Sequence, residues 1–372
     1  MMRFGFRGFV AVYAVAALAW LPLVRRSLPP GTTIAIALAL RALLFFREPL
    51  LSGDVYRYLS DGRVSASGGN PYLYTPADPR INHPEIRSIY PPHAQLLFRL
   101  AHDLVSWRLI VVAADLAAIV LLRRRGALAY ATCPLVLFEG TWSGHIDAVA
   151  AVFLAFALAR RSHAAAGVSA GIASGLKIIP LAAMPALLRR AGRTGRWRFA
   201  GTAALTLALP VLPFLGAPIM PGLRDYATRW IFNSPLYDLV RATVEWIPTK
   251  EIWTHHPLRI AAISDVVYRH LYADFLTRAI LGIAALAAIL LARRVTTAVA
   301  ALLVCSPAIH PWYWLTLVPA ALLERSRWLY VALCAPVSYL LYGGTPRLLV
   351  YGWTAAALAA AFEPRQAAAT PE

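Results

Sequence analysis

Trp107-Arg-Leu-Ile-Val-Val-Ala-Ala-Asp-Leu-Ala-Ala-Ile-Val-Leu-Leu122, followed at once by Arg123-Arg124-Arg125, decides the fold class. An α-helix needs about 20 mostly apolar residues to cross a bilayer, at 1.5 Å per residue. A cluster of arginines at the end of such a run marks the end that stays in the cytoplasm. The pattern repeats in both directions along the chain: apolar stretches stop at Arg25-Arg26, Arg160-Arg161, Arg189-Arg190 with Arg193, Arg196 and Arg198, Arg293-Arg294, and Arg325 with Arg327. The reading is an all-α polytopic membrane protein.

Composition agrees. Of 372 residues 59% are hydrophobic and only 15% charged, and the mean hydropathy is +0.59. A soluble domain carries about 25% charged residues, so soluble dehydrogenase, protease and kinase classes are excluded. The net charge of +18 would point to nucleic acid only if the bases lay on one soluble face. They lie instead at the ends of apolar runs, so no nucleic-acid partner is expected and membrane lipids are. Cys133, Cys305 and Cys334 sit singly inside apolar runs, which supports neither a disulfide framework nor a zinc site.

The apolar runs predict about 12 or 13 spans within one domain over 1–362, and a disordered cytoplasmic tail over 363–372. The piece 179–188, carrying Pro180 and Pro185, is too short to cross and reads as a re-entrant or broken helix. With the arginine clusters inside, two long segments fall outside, about 47–106 and 218–274. No internal repeat or duplicated half is visible.

The first outer segment is the richest in polar residues. Ser52-Gly-Asp-Val-Tyr-Arg-Tyr-Leu-Ser-Asp-Gly62 predicts a short interfacial helix over 55–66, with Asp54, Tyr58 and Asp61 on one face and Arg57 a turn from each acid. Two turns hold the carboxylates about 10 Å apart, so at most one serves as a base. On spacing alone Asp54 reads first as a helix N-cap, and Asp61 as the ion-pair partner of Arg57. Gly68-Gly69-Asn70-Pro71 is a turn, with Tyr72 and Tyr74 as rings for a sugar or for the interface. His93, on a helix begun by Pro91-Pro92, reads as structural.

Farther along, His145 and Asp147 stand at the outer end of two spans, a spacing too weak to argue a metal. Lys177, one of two lysines in the chain, lies at membrane depth. An ionisable group there is a functional candidate, with snorkelling to the interface as the bland alternative. His310-Pro-Trp-Tyr313 breaks an apolar run on the same outer side, and an aromatic belt accounts for Trp312 and Tyr313 but not for His310. The second outer segment adds Arg224, Arg229, Trp230, Asn233, His255, His256, Arg269 and His270.

One acid facing several cations suits transfer of a sugar from a lipid phosphate. The acceptor hydroxyl needs a base, and the phosphate needs positive charge but no general acid. No G-x-x-x-x-G-K-[ST], H-E-x-x-H or D-x-D is present, which disfavours nucleotide-sugar chemistry and predicts neither metal nor cofactor. A transporter or flippase of a lipid-linked or anionic substrate, using Asp115, Asp147 and Lys177, is the competing class; Asp115 and Glu139 fit either. It would gather its polar groups at the midplane, whereas these collect in the outer segments.

The residues Ser52 to Arg63, Gly69-Asn-Pro-Tyr72, Tyr90-Pro-Pro92, Gly175-Leu-Lys-Ile-Ile-Pro180, Tyr226 to Asn233 and His310-Pro-Trp-Tyr313 resemble, in order and placement, the GT-C superfamily of integral-membrane glycosyltransferases. The closest resemblance is to the bacterial polyprenyl-phosphate-mannose-dependent group around glycosyltransferase family 87. It implies a catalytic base in the first outer loop, which falls on Asp54, and a polyprenyl-phosphate sugar donor in a groove beside it. Lys177 and His310 would lie near the donor phosphate. Arg57, Tyr58, Asp61, Asn70, Tyr72, His145, Trp312 and Tyr313 complete the expected donor and substrate site. The implied reaction is inverting mannosyl transfer to a lipid-linked or glycan acceptor, on the periplasmic side of a bacterial inner membrane. Superfamily members with an acidic pair in this loop differ from Gly53-Asp54 here.

Overall fold

In a layer without water each backbone N–H and C=O must find its partner within the structure, so apolar runs fold as helices. The computed structural model describes residues 2–123, 126–246 and 265–362. The regular structure of the described residues is all helical, with no β-strand and one isolated bridge between Phe232 and Ala308. The expected tail over 363–372, and His255 and His256, lie outside the described residues, as do the side chains of Arg269 and His270.

Four helical stretches are long and apolar enough to cross a membrane: Gly5–Arg25, Leu104–Leu121, Ile179–Phe214 and Tyr272–Leu291. A fifth forms if Val136–Trp142 and Asp147–Ala159, bent by 117° at their junction, make one broken span. Pro30–Phe45, Val295–Cys305 and Trp328–Leu341 are apolar but shorter. Large side chains such as Val15, Leu43, Ile283 and Leu291 lie exposed on the outer surface, where a lipid environment would cover them.

This count is smaller than 12 or 13 because several apolar runs do not fold as single α-helices. Prolines near their starts turn Pro311–Leu317 and Ala335–Leu341 into 3₁₀ segments, since proline lacks a donor and fixes φ. The piece expected to be a re-entrant or broken helix, 179–188, is not re-entrant: it opens as a 3₁₀ turn, Ile179–Ala183, and continues into the stretch Ile179–Phe214. That stretch is kinked at Gly192, whose φ of 66° and ψ of −173° are not helical.

The interior holds a sealed ionic cluster. Arg41 Nε donates to Asp115 Oδ2 at 2.9 Å and its Nη1 to the Ala131 carbonyl at 3.0 Å, while Tyr130 donates to Asp115 Oδ1 at 2.7 Å. It ties Pro30–Phe45 to Leu104–Leu121 and Ala127–Thr132. Leu104–Leu121 begins at a capping box between Asp103 and Ser106.

The polar helix Asp54–Ala66 is fixed by aromatic packing. Its Tyr58 stacks on Phe98, centroids 4.6 Å apart, and meets the edge of Trp107 at 5.3 Å. Trp107 Nε1 donates in turn to the Gly144 carbonyl at 2.6 Å. Gly144 has φ +74°, and a Cβ there would meet the Trp107 ring at 3.2 Å; only glycine allows the chain to turn that close to the indole. This contact brings the helix carrying Asp54 against the break that carries His145.

Candidate active site

A cavity of about 590 Å³ opens where the helix Asp54–Ala66, the loop 80–90, the end of the helix His163–Leu176 and the break at 306–313 meet. Asp54, Arg57, Arg80, Tyr90, Lys177, Tyr226, Trp230, His310, Trp312, Tyr313 and Tyr342 are among the residues that line it.

Asp54 is the first residue of its helix, and its carboxylate does not cap it. The Ser52 hydroxyl accepts the Asp54 N–H instead, at 3.2 Å. The carboxylate is left to face the cavity with 26% of the side chain exposed, 3.9 Å from His145 Nδ1. Tyr90 Oη donates to it at 3.3 Å and lies 3.4 Å from the Tyr58 hydroxyl. Burial, and then the Asp54 charge, push the Tyr90 pKa well up, so this phenol remains a donor.

His145 is fully buried behind Asp54, and its Nε2 lies 3.4 Å from Glu139 Oε2. Glu139 is also buried, accepts from Tyr339 at 3.2 Å, and sits in a π-helical turn, Val136–Trp142. Such turns re-aim side chains and concentrate at functional positions. The sequence shows Glu139 only as an acid in an apolar run; that it backs Asp54 through His145 depends on the turn.

Lys177 ends the helix His163–Leu176 and pairs with Asp147 at 3.1 Å. Its ammonium lies 5.2 Å from the Tyr90 ring and 5.1 Å from the Tyr313 ring, within cation–π range. Gly175, two residues earlier, has no side chain because the His93 ring fills that space. His93 is a packing residue, and burial lowers its pKa.

The opposite wall is a column of rings. His145 stacks on Trp312 at 4.3 Å, Trp312 on His310 at 4.5 Å, His310 on Phe232 at 4.8 Å, and Phe232 on Tyr342 at 4.8 Å. Backbone hydrogen bonds hold Phe232 in it: its N–H donates to Pro307 at 3.0 Å and its carbonyl accepts from Ile309 at 2.8 Å. Tyr226 and Tyr313 meet through their hydroxyls. His145, His310 Nδ1 and Trp312 Nε1 are buried without hydrogen-bond partners, and buried polar groups left open in this way mark a place where another group can bind.

Of the expected site residues the structure brings Asp54, Arg57, Lys177, His310, Trp312 and Tyr313 to the cavity and His145 directly behind it. It does not bring the others. Asp61 makes no Arg57 ion pair; it is buried, accepts from Ser88 at 2.6 Å and Gln95 at 3.1 Å, and borders a separate cavity. Burial pushes its pKa up to about 6. Arg57 instead donates to the carbonyls of Ile86, Asn82 and His83, tying down the loop that forms one rim. Asn70 accepts from the Tyr72 N–H, and Tyr72 is fully buried against Phe214 with its hydroxyl on the Tyr90 carbonyl. Neither is a sugar-stacking face. Tyr58 is a packing residue beneath Tyr90.

Sequence reasoning passed over Arg80, Tyr226 and Tyr342 as individual site residues. Arg80 lies over the Tyr56 ring at 4.0 Å and holds the Asp78 carboxyl down to about 2. Among the described residues of the second outer segment Tyr226, Trp230 and Phe232 reach the site; Arg224 is exposed, Arg229 pairs with Asp225, and Asn233 lines a different cavity. Among the described residues no group of three His, Cys, Asp or Glu side chains is placed to hold a metal ion. What remains is one accessible carboxylate, three cations and an aromatic wall around one opening. No protein-family model, no curated protein and no solved structure matches the chain.

Proposed function

We propose that this is a polytopic membrane glycosyltransferase of GT-C type, transferring a sugar, mannose by the resemblance, from a polyprenyl phosphate to an acceptor hydroxyl in the Asp54 cavity. The observation that carries the reading is the asymmetry of the cavity: a single accessible carboxylate opposite Arg57, Arg80 and Lys177, beside the His310–Trp312 stack.

In that reaction Asp54 takes the proton of the acceptor hydroxyl as its oxygen bonds to the anomeric carbon. The bond from that carbon to the phosphate oxygen breaks, and polyprenyl phosphate leaves with the electron pair. One displacement inverts the anomeric centre. A retaining reaction needs a second carboxylate about 5 Å from the first at the sugar; Asp61 is turned into another cavity and Glu139 is screened by His145. Lys177 and Arg57 offset the phosphate charge, and Trp312 and Tyr313 offer faces to the sugar or the first prenyl units. The reading puts the arginine-bearing helix ends in the cytoplasm and Asp54 on the periplasmic side of a bacterial inner membrane. It requires neither metal nor cofactor.

One observation favours transport of an anionic substrate instead. The Asp147–Lys177 pair sits where two helices are interrupted, as ion-coupling groups in transporters do.

The test offers the purified chain in nanodiscs a polyprenyl-phosphate-mannose or a nucleotide-mannose, each with a lipid-glycan acceptor and excess chelator, beside Asp54→Asn. Transfer from the lipid donor alone is expected, falling about 100-fold or more in Asp54→Asn with donor binding retained. Transfer from the nucleotide sugar alone, loss restored only by Mg²⁺ or Mn²⁺, or uptake into proteoliposomes without transfer would overturn it.

A further inference from the structure

A second cavity lies apart from the one that holds Asp54. A cavity of about 680 Å³ opens between segment 24–28, Arg123 with 126–128, and segment 321–330. It lies at the far end of the helix Leu104–Leu121: Trp107 packs beside the Asp54 site and Arg123 follows about 24 Å further along the helix axis.

Among the described residues five arginines line it, Arg25, Arg26, Arg123, Arg325 and Arg327, and no acid does. Among the described residues Arg25, Arg26, Arg123 and Arg325 make no ion pair. The acid next to them in sequence, Glu324, is turned away, accepting from the backbone of Val295 at 3.1 Å and Thr296 at 3.0 Å and from the Thr296 hydroxyl at 2.6 Å. Arg325 also holds the left-handed conformation, φ 50° and ψ 47°, at the end of the helix Val318–Glu324. Glycine is the usual residue there, so an arginine accepts backbone strain to place its guanidinium at the cavity. Positive-inside sorting requires arginines near this end, but it does not require them to converge on one concavity or one of them to sit at a strained position.

Ser27, Ser326 and Tyr330 also line it, beside an apolar flank of Val24, Leu28, Leu322 and Leu329, with Leu28 43% exposed. Guanidinium groups bind phosphate oxygens in a planar, charge-assisted geometry, and an apolar flank suits the chains of an amphiphile. We propose that this cavity binds the phosphate headgroup of an anionic membrane lipid, as a site separate from the Asp54 cavity and independent of the transfer reading. A basic pocket between helices at a membrane surface is the kind of place that holds such a headgroup.

The test titrates short-chain phosphatidylglycerol, short-chain phosphatidylcholine and inorganic phosphate into the detergent-solubilised full chain, with binding read by native mass spectrometry. Phosphatidylglycerol should bind at least tenfold more tightly than either of the others, with an affinity that falls as salt rises. Arg123→Gln should reduce that preference several-fold. Arg325→Gly should do the same while melting no lower than the parent, because glycine relieves the left-handed strain; this separates lost binding from lost folding. Equal binding of the two lipids, inorganic phosphate binding as tightly as phosphatidylglycerol, or a preference unchanged in a folded Arg123→Gln, Arg325→Gly double variant would overturn the proposal.

Discussion

Two buried acid–base pairs, Arg41–Asp115 and Lys177–Asp147, look alike in sequence, each ionisable residue standing in or at the end of an apolar run. They differ in what surrounds them. Asp115 has both oxygens occupied, by Arg41 and Tyr130, and although Arg41 Nη2 lacks a hydrogen-bond partner, both side chains of the pair are sealed from solvent, at 2% and 0% exposure. Asp147 Oδ1 has no partner, and Lys177 is 12% exposed and lines the Asp54 cavity. A closed pair fixes helices against one another. An open pair retains capacity to bind something else, so an intramembrane charge is a functional candidate only where its hydrogen bonding is incomplete and it borders space.

The comparison breaks most readily through stability. Asp115→Ala leaves the Arg41 guanidinium buried without its counterion and should cost about 3–5 kcal/mol, seen as a collapse of the melting transition in detergent. Pairing it with Arg41→Met should recover most of the loss; a single variant that melts like the parent would show that the pair is not sealed.

Asp61 lies between the two cases, buried and hydrogen-bonded by Ser88 and Gln95, with the Arg57 charge near but no ion pair formed. Its folded pKa of about 6 stands above the ordinary value of 3.8, so between those values the folded chain holds the proton more tightly than the unfolded one. The stability that Asp61 contributes should be fully present below about pH 3.8, fall as pH rises through about 6, and be absent beyond. The full difference is at most about 3 kcal/mol. Denaturant titrations across that range should show the slope in the parent and none in Asp61→Asn.

For the open pair the effect should appear in turnover. Lys177→Met is expected to lower transfer about tenfold, roughly 1.4 kcal/mol, while shifting the melting temperature less than Asp115→Ala does. A rise in apparent donor KM would place the contact in the ground state, and a fall in kcat in the transition state. Tyr90→Phe tests the smallest contribution. Removing the phenol donor from Asp54 should change transfer only several-fold, on the order of 1 kcal/mol, with little change in donor binding. A loss as large as that of Asp54→Asn would assign Tyr90 a direct part in the chemistry.

The all-helical class was legible because apolar runs ending in arginine admit little else, and the helix expected at 55–66 is observed at Asp54–Ala66. The number of long helices was not legible. Hydropathy is blind to the prolines and the Gly192 kink that divide apolar runs into short, bent or 3₁₀ pieces, and to the joining of 179–188 with the run after it. Asp54, Lys177 and His310 were visible as polar residues in unusual places. Asp61 and Tyr72 were equally visible and belong elsewhere, because spacing along one helix or turn says which residues share a face but not what that face meets.

By itself, then, the sequence determined what is local: helices, their ends, the arginine-bearing termini, and a first loop richer in polar groups than its surroundings. Tertiary structure decided which of those groups converge. Ser88 and Gln95 come to Asp61 from a separate segment and occupy its carboxylate, while Asp54 keeps a free face because Ser52 takes its backbone N–H and Tyr90 donates to only one of its carboxylate oxygens. Phe232, 78 residues before His310 in the chain, is brought into the ring column by two backbone hydrogen bonds at the 306–309 break. Contacts of that sequence separation depend on the path of the whole chain, and no periodicity of 3.6 residues carries them.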